Sequence, residues 1–265
     1  MIIDKYNLRA KKINSLLCVG LDSDFDKIPD KFKIEEFPQF EFNKWIVEET
    51  KDFAAAFKIN IAFYEARGDK GIHELKETME YIKVYYPDIF TICDAKRADI
   101  GNTNNGYVTS LFDWFGFDAV TINPYLGQEA VQPFLDRKDK ISIILCRTSN
   151  TGAGEFQDLN VDGVPLWQKV AGKVSQDWNK NNNCMLVVGA TYPEEMKKIR
   201  EITGEMTFLV PGVGAQGGDL EATMKAGLNS ERLGLTIHSA RGIIFSDNPK
   251  QEAQKLCEEI RENRI

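Results

Sequence analysis

The chain has 265 residues, of which 43% are hydrophobic and 28% charged, and its net charge is −7 at pH 7. That balance excludes wholesale disorder, and the acidic surplus excludes a broad basic footprint for nucleic acid, although a local anion pocket stays open. At about 150 residues per domain the length allows one large domain or two small ones, either able to bury a core without disulfide or metal staples. No apolar run reaches the ~18 residues of a membrane span. The opening MIIDKYNLRAKKIN is charged throughout and lacks the apolar stretch of a secretory signal. The expectation is a cytoplasmic protein with no membrane partner. Cys18, Cys93, Cys146 and Cys184 each sit in a short apolar run and there is no C-x-x-C. They read as small buried hydrophobes, not as a disulfide framework.

Eight short apolar runs recur along the chain: LLCVGLD (16–22), AAAFKIN (54–60), IFTICDAK (89–96), DAVTINP (118–124), ISIILCR (141–147), CMLVVGA (184–190), TFLVPGV (207–213) and RLGLTIH (232–238). Each is nearly continuous in aliphatic residues, Phe or Cys, as a strand buried on both faces requires. Helical patterns lie between them. EFNKWIVEETKDF precedes the second run, and IHELKETMEYIKVYY precedes the third and stops at Pro87. TNNGYVTSLFDWFG precedes the fourth, with Thr103 as expected N-cap and Gly116 as expected stop. QEAVQPFLDRK, PLWQKVAGKVSQDWNKN, YPEEMKKIREITG, GGDLEATMKAG and, from Pro249, a closing amphipathic stretch follow in turn. Strand then helix, eight times, predicts a (β/α)8 barrel as one domain over residues 1–265. A doubly wound open sheet is the alternative, because strand count alone does not prove closure.

In a barrel, polar residues at the C-terminal strand ends carry the chemistry. That rule selects Asp22 after the first run, Lys58 and Asn60 in the second, Asp94, Lys96 and Asp99 at and beyond the third, Asn123 in the fourth, and Arg147 with Ser149 at the fifth. Strand alternation places Asp94 and Lys96 on one face, with Cys93 and Ala95 on the other. A lysine two residues on can pair a costly buried carboxylate, and Lys58 can approach from the neighbouring strand. Such an array holds a lysine charged and aims it at a proton acceptor. A salt-bridged surface turn is the competing reading, and it loses ground because the cluster directly follows a buried run.

P-G-V-G-A-Q-G-G-D-L follows the seventh run and H-S-A-R-G-I-I the eighth. Glycines permit close backbone approach, Arg241 can grip phosphate with two hydrogen bonds, and barrels often hold phosphate between these two loops. The G-x-G-x-x-G string within the first lacks the βαβ context of a dinucleotide fold, which argues against NAD. His73 and His238 read as structural or surface histidines. R-T-S-N-T-G-A-G-E-F after the fifth run reads equally as a functional loop or a polar turn. Asp24 and Asp26 beside Asp22 lack the spacing of a calcium loop.

The segment D-A-K-R-A-D-I-G-N-T resembles the signature of the orotidine 5′-phosphate decarboxylase family, in its bacterial D-A-K-R-x-D-I-G-x-T form. L-C-V-G-L-D, F-K-I-N-I-A-F-Y-E, T-I-N-P-Y-L-G, T-S-N, P-G-V-G-A-Q-G-G-D and S-A-R-G-I extend the similarity over the whole chain. The resemblance implies decarboxylation of orotidine 5′-monophosphate (OMP) to UMP, the final step of de novo pyrimidine biosynthesis, without metal or organic cofactor. It implies that Lys96 protonates C6, that Asp94 sits near the substrate carboxylate held by Lys58, and that Asp22, Lys58 and Thr103 bind ribose. Asp99 and Thr103 would reach into a partner subunit's site, making a homodimer with shared sites. Ser149 and Gln216 would touch the pyrimidine, and Arg241 with Gln216 the phosphate. Asn60, Ile100, Asn123, Pro211 and Ala240 complete the implied substrate-binding set. Ala240 stands where many relatives have glycine, and Gly217 and Gly218 follow Gln216 where some have tyrosine, which implies a shorter lid with fewer phosphate contacts. Two alternatives remain: a Mg-dependent keto-sugar-phosphate decarboxylase or hexulose-phosphate synthase that also uses D-x-K-x-x-D, and a non-catalytic barrel that binds a phosphorylated metabolite.

Overall fold

A computed structural model describes residues 2–213 and 217–264. All eight apolar runs form strands: β1 (Leu17–Gly20), β2 (Ala56–Asn60), β3 (Phe90–Arg97), β4 (Ala119–Ile122), β5 (Ile141–Arg147), β6 (Cys184–Val188), β7 (Phe208–Pro211) and β8 (Leu235–Ser239). They pair in parallel and in chain order, and β8 returns to β1 through Leu17↔Ile237, Cys18↔His238 and Val19↔Ser239. The sheet is therefore a closed barrel, and the open-sheet alternative falls. Closure leaves no strand edge among the eight. β1, β4 and β6 are buried along their whole length, which is why their sequences show no polar alternation.

The principal helices are α1 (Ile3–Lys12), α2 (Pro38–Thr50), α3 (Gly68–Tyr85), α4 (Gly101–Val108), α5 (Gly127–Leu135), α6 (Leu166–Lys173), α7 (Pro193–Thr203), α8 (Leu220–Gly227) and α9 (Pro249–Glu262). The sequence pattern did not show α1. It lies across the N-terminal ends of the strands: the Tyr6 hydroxyl donates to the Leu235 carbonyl at 2.6 Å, and Arg9 Nε to the Ala54 carbonyl at 3.1 Å. Lys5 pairs with Asp118 at 2.7 Å and Arg9 with Asp88 at 2.8 Å. Its charges are therefore anchors to the barrel floor and not a solvated tail.

Thr103 does not cap α4. The helix starts at Gly101, with Ile100 in the cap position and no side-chain cap bond, so Thr103 lies inside the first turn. Gly116 does mark the stop. α4 runs on through a wider turn, Thr109–Trp114, and the chain leaves at Gly116 with φ +77°, a conformation that suits glycine. After β5 the chain makes two short helical turns, Thr151–Ala153 and Gly154–Gln157, and a hairpin pairing Asn160–Val161 with Val164–Pro165 before α6.

Candidate active site

The barrel's C-terminal mouth opens into a cavity of about 450 Å³, within the usual range for a small-molecule site. Every strand sends a side chain to it: Asp22 just past β1, Lys58, Asp94, Thr121, Leu145, Val187, Leu209 with Pro211, and His238. Period-two alternation does this, because each inward strand end presents one residue to the same space. Leu145, Val187 and Leu209 form an apolar wall. Lys58, Asp94 and Lys96 form the charged side.

Asp94 is the hub. One carboxylate oxygen lies 2.6 Å from Lys96 Nζ and accepts the Thr121 hydroxyl at 2.9 Å, and the other lies 3.2 Å from Lys58 Nζ. Lys58 also faces Asp22 at 3.6 Å. Burial alone would push the Asp94 carboxyl up, but the Lys58 and Lys96 ammoniums and the bonds from Lys96 and Thr121 outweigh it and hold it well below the ordinary range. Burial likewise opposes the charge on Lys58, yet Asp22 and Asp94 keep it firmly protonated. Lys58 is 3% exposed and Lys96 51%.

Lys96 reaches this position by a route that simple alternation misses. β3 pairs with β4 at Cys93↔Val120 and next at Arg97↔Ile122, so the register slips between them. Within that slip Lys96 takes a left-handed backbone with φ +48°, and its N–H donates to the Thr121 hydroxyl oxygen at 3.0 Å. A bulge of this kind re-aims a side chain at a rim. Asp94 and Lys96 do address one cavity, but through the bulge and not through an undisturbed pleat.

The loop after β5 is a structured part of the mouth. Thr148, Ser149, Asn150 and Gln157 line the cavity, and Gln157 closes the loop on itself by accepting from Thr148 N–H and donating to the Thr148 hydroxyl, at 2.9 Å and 2.8 Å. Arg147 is not in the cavity. It is buried, stacks 3.8 Å above the Tyr192 ring and pairs with Asp158 at 3.2 Å, anchoring the loop from below. Gly189 sits under Ser149, where an added Cβ would stand 2.8 Å from the Ser149 Cβ.

Pro211, Gly212, Val213, Ser239, Ala240 and Arg241 close the end of the cavity beyond β7 and β8. Arg241 is exposed and pairs with no carboxylate among the described residues. Gln216 falls outside the described residues.

Not every expected residue meets the cavity. The Asn60 side chain turns away and accepts the Ala62 N–H at 3.1 Å, while its own N–H orients Asp22 at 3.1 Å. Asn123 is spent on the turn to Tyr125 at 3.0 Å. Asp99, Ile100 and Thr103 lie on the segment entering α4, outside the chain's own cavity, with Ile100 and Thr103 exposed. Asp24 is paired with Lys27 at 2.6 Å, and no cluster of three His, Cys, Asp or Glu among the described residues is placed to hold a metal ion. Sequence reasoning passed over Thr121 and set aside His238. Both lie at inward positions of their strands, and that periodicity was the available signal.

A closed parallel barrel with a lysine–carboxylate array at its C-terminal mouth defines a (β/α)8-barrel enzyme. The chain belongs to the orotidine 5′-phosphate decarboxylase / HUMPS family, whose model matches residues 15–256. It is 49% identical to the orotidine 5′-phosphate decarboxylase of Cellvibrio japonicus over 91% of this chain and 88% of that protein. It is 47% identical to that of Christiangramia forsetii over 92% and 89%. Among solved structures it resembles the OMP decarboxylase of Leishmania donovani with a TM-score of 0.89 and 37% identity, covering 99% of this chain and 98% of that one. Among the described residues no helix is long and apolar enough to cross a membrane.

Proposed function

We propose that this chain decarboxylates OMP to UMP and CO2 as a cytoplasmic, homodimeric enzyme of pyrimidine biosynthesis. One observation carries the reading: a half-exposed ammonium, Lys96, is held 2.6 Å from a carboxylate whose far side is occupied by a second, buried lysine. That array suits a reaction in which charge moves from a departing carboxylate to a carbon and then to a proton.

The bond from C6 to the carboxylate breaks and CO2 leaves. The electron pair stays at C6 and takes a proton from Lys96, whose amine recovers one from water. The ammonium stabilises the growing charge before it gives up the proton. Asp94, kept ionised by both lysines, sits where a substrate carboxylate would meet a like charge and relieve that contact on leaving. The apolar wall of Leu145, Val187 and Leu209 offers a face for the pyrimidine, Ser149 an edge contact, and Arg241 a guanidinium for the phosphate. Binding energy gained at the phosphate is remote from the reacting carbon and serves to organise the array.

Asp99, Ile100 and Thr103 supply the dimer part of the reading. None of them lines the chain's own cavity, and Ile100, Thr103, Tyr125 and Leu126 are exposed, a surface suited to completing a second copy's site. The deciding assay follows OMP absorbance with metal-stripped protein in excess EDTA. Stoichiometric UMP and CO2 support the reading. No turnover without Mg2+, or turnover only of a keto-sugar phosphate, refutes it.

A further inference from the structure

The mechanism leaves His238, a polar side chain of the cavity, without a task. His238 projects inward from β8 and is 10% exposed. Its Nδ1 is buried and has no hydrogen-bond partner among the described residues. Its Nε2 lies 4.0 Å from Asp22 Oδ2. The other Asp22 oxygen is already engaged, accepting the Asn60 N–H at 3.1 Å and facing Lys58 Nζ at 3.6 Å. Oδ2 and the imidazole therefore confront each other across a gap too long for a direct bond.

A single oxygen atom fills such a gap when it makes hydrogen bonds of about 2.8 Å to both sides, meeting at roughly a right angle. The occupant has to donate to the carboxylate and exchange a second bond with a ring nitrogen. Burial and the nearby Lys58 ammonium outweigh Asp22 and Asp94 and push the His238 pKa down to about 3, so the ring offers one donor and one acceptor and no positive charge. An anion gains nothing from it, whereas a hydroxyl satisfies both partners. The seat is also built from below. A Cβ at Gly20 would lie 2.4 Å from His238 Cε1, so the bare backbone of β1 is what lets the ring lie this close to Asp22.

We propose that Asp22 and His238 together grip one hydroxyl of the substrate's sugar, making His238 a ribosyl-recognition residue. The inference rests on the nucleotide reading above, and its test separates the two. Calorimetry compares UMP, 2′-deoxy-UMP and 3′-deoxy-UMP on the wild type, His238→Phe and His238→Asn. His238→Phe loses about tenfold in UMP affinity, the value of one hydrogen bond of about 1.4 kcal/mol, and KM for OMP rises by the same factor with kcat little changed. For one of the two deoxy nucleotides the wild type and His238→Phe bind alike, and His238→Asn recovers part of the UMP loss. Equal losses for all three nucleotides, or no loss, overturn the assignment. A readout on the intact wild type guards against a misfolded variant. The ring ¹⁵N signals of His238 shift on adding UMP and stay put with the deoxy nucleotide that lacks the gripped hydroxyl, with exposed His73 as reference. A His238 signal that ignores UMP overturns the proposal while leaving OMP turnover intact. A wild type that neither turns over OMP nor binds UMP overturns both readings.

Discussion

Lys58 and Lys96 flank the same carboxylate, but their exposure divides their work. Lys58 is walled in between Asp22 and Asp94 and cannot readily exchange a proton with water. Lys96, the proposed proton donor, is open enough for water to recharge it. Lys96→Ala is accordingly expected to cut turnover of OMP by about 10²–10⁴-fold, the usual worth of a positioned general acid, while UMP binding stays measurable. Near-normal turnover in a steady-state assay would refute its role. The neutral His238 makes a separate prediction about pH. Its folded pKa is depressed to about 3 against roughly 6.5 in the unfolded chain, so its contribution is full above about 6.5 and is lost as the pH falls from there. Between pH 6.5 and 5 the unfolded state gains a proton that the folded state refuses. Urea denaturation is expected to show the wild type losing about 2 kcal/mol more than His238→Phe over that interval. Parallel pH profiles for the two proteins would contradict it.

At the scale of elements, the barrel strands were readable because burial on both faces writes an uninterrupted apolar run, and the strand-end rule then located Asp22, Lys58, Asp94, Lys96 and Ser149 at the mouth. The features that stayed hidden depend on other parts of the chain. α1 does carry an apolar face in Ile3, Tyr6 and Ala10, but that face is short and outnumbered by charges, and the ion pairs of Lys5 and Arg9 on the barrel floor were not legible from the sequence. The slip in β3 is a relation between two strands and leaves no mark in the order of residues. Asn60 and Asn123 were placed correctly at strand ends, but turn chemistry claimed both side chains. The contact between the loop after β5 and the end of β6 carries a prediction of its own. Gly189 donates its N–H to the Arg147 carbonyl at 2.8 Å, and its missing Cβ is what admits Ser149. Gly189→Ala should push the loop outward, costing about 1–3 kcal/mol from overpacking and raising KM for OMP several-fold more than it lowers kcat. Unchanged kinetics together with unchanged stability would show that Ser149 does not depend on that close approach.

At the scale of the whole molecule, the resemblance to a decarboxylase family added what one chain's geometry cannot supply. Asp99 and Thr103 do not line their own cavity, and in the proposed homodimer their target is the site of the second copy. A two-fold dimer places the same patch on both subunits. Mixing and re-associating Lys96→Ala with Asp99→Ala then yields half mixed dimers, each with one site carrying both defects and one carrying neither. Activity of the mixture should climb to about a quarter of wild type, although each parent is nearly inactive. A mixture no better than its parents, with exchange of subunits verified by mass, would show that every cavity is furnished by a single chain.

The left-handed backbone at Lys96 sets two kinds of fitness against each other. Residues other than glycine hold such a conformation at a cost of about 1–2 kcal/mol. Glycine would release that tension, so a laboratory selection for heat resistance, run blind to turnover, is drawn toward discarding the very amine proposed to donate the proton. If Lys96 is the proton donor, hardiness and speed are opposing demands at this position, and a lysine held there in spite of its backbone is the mark of that conflict.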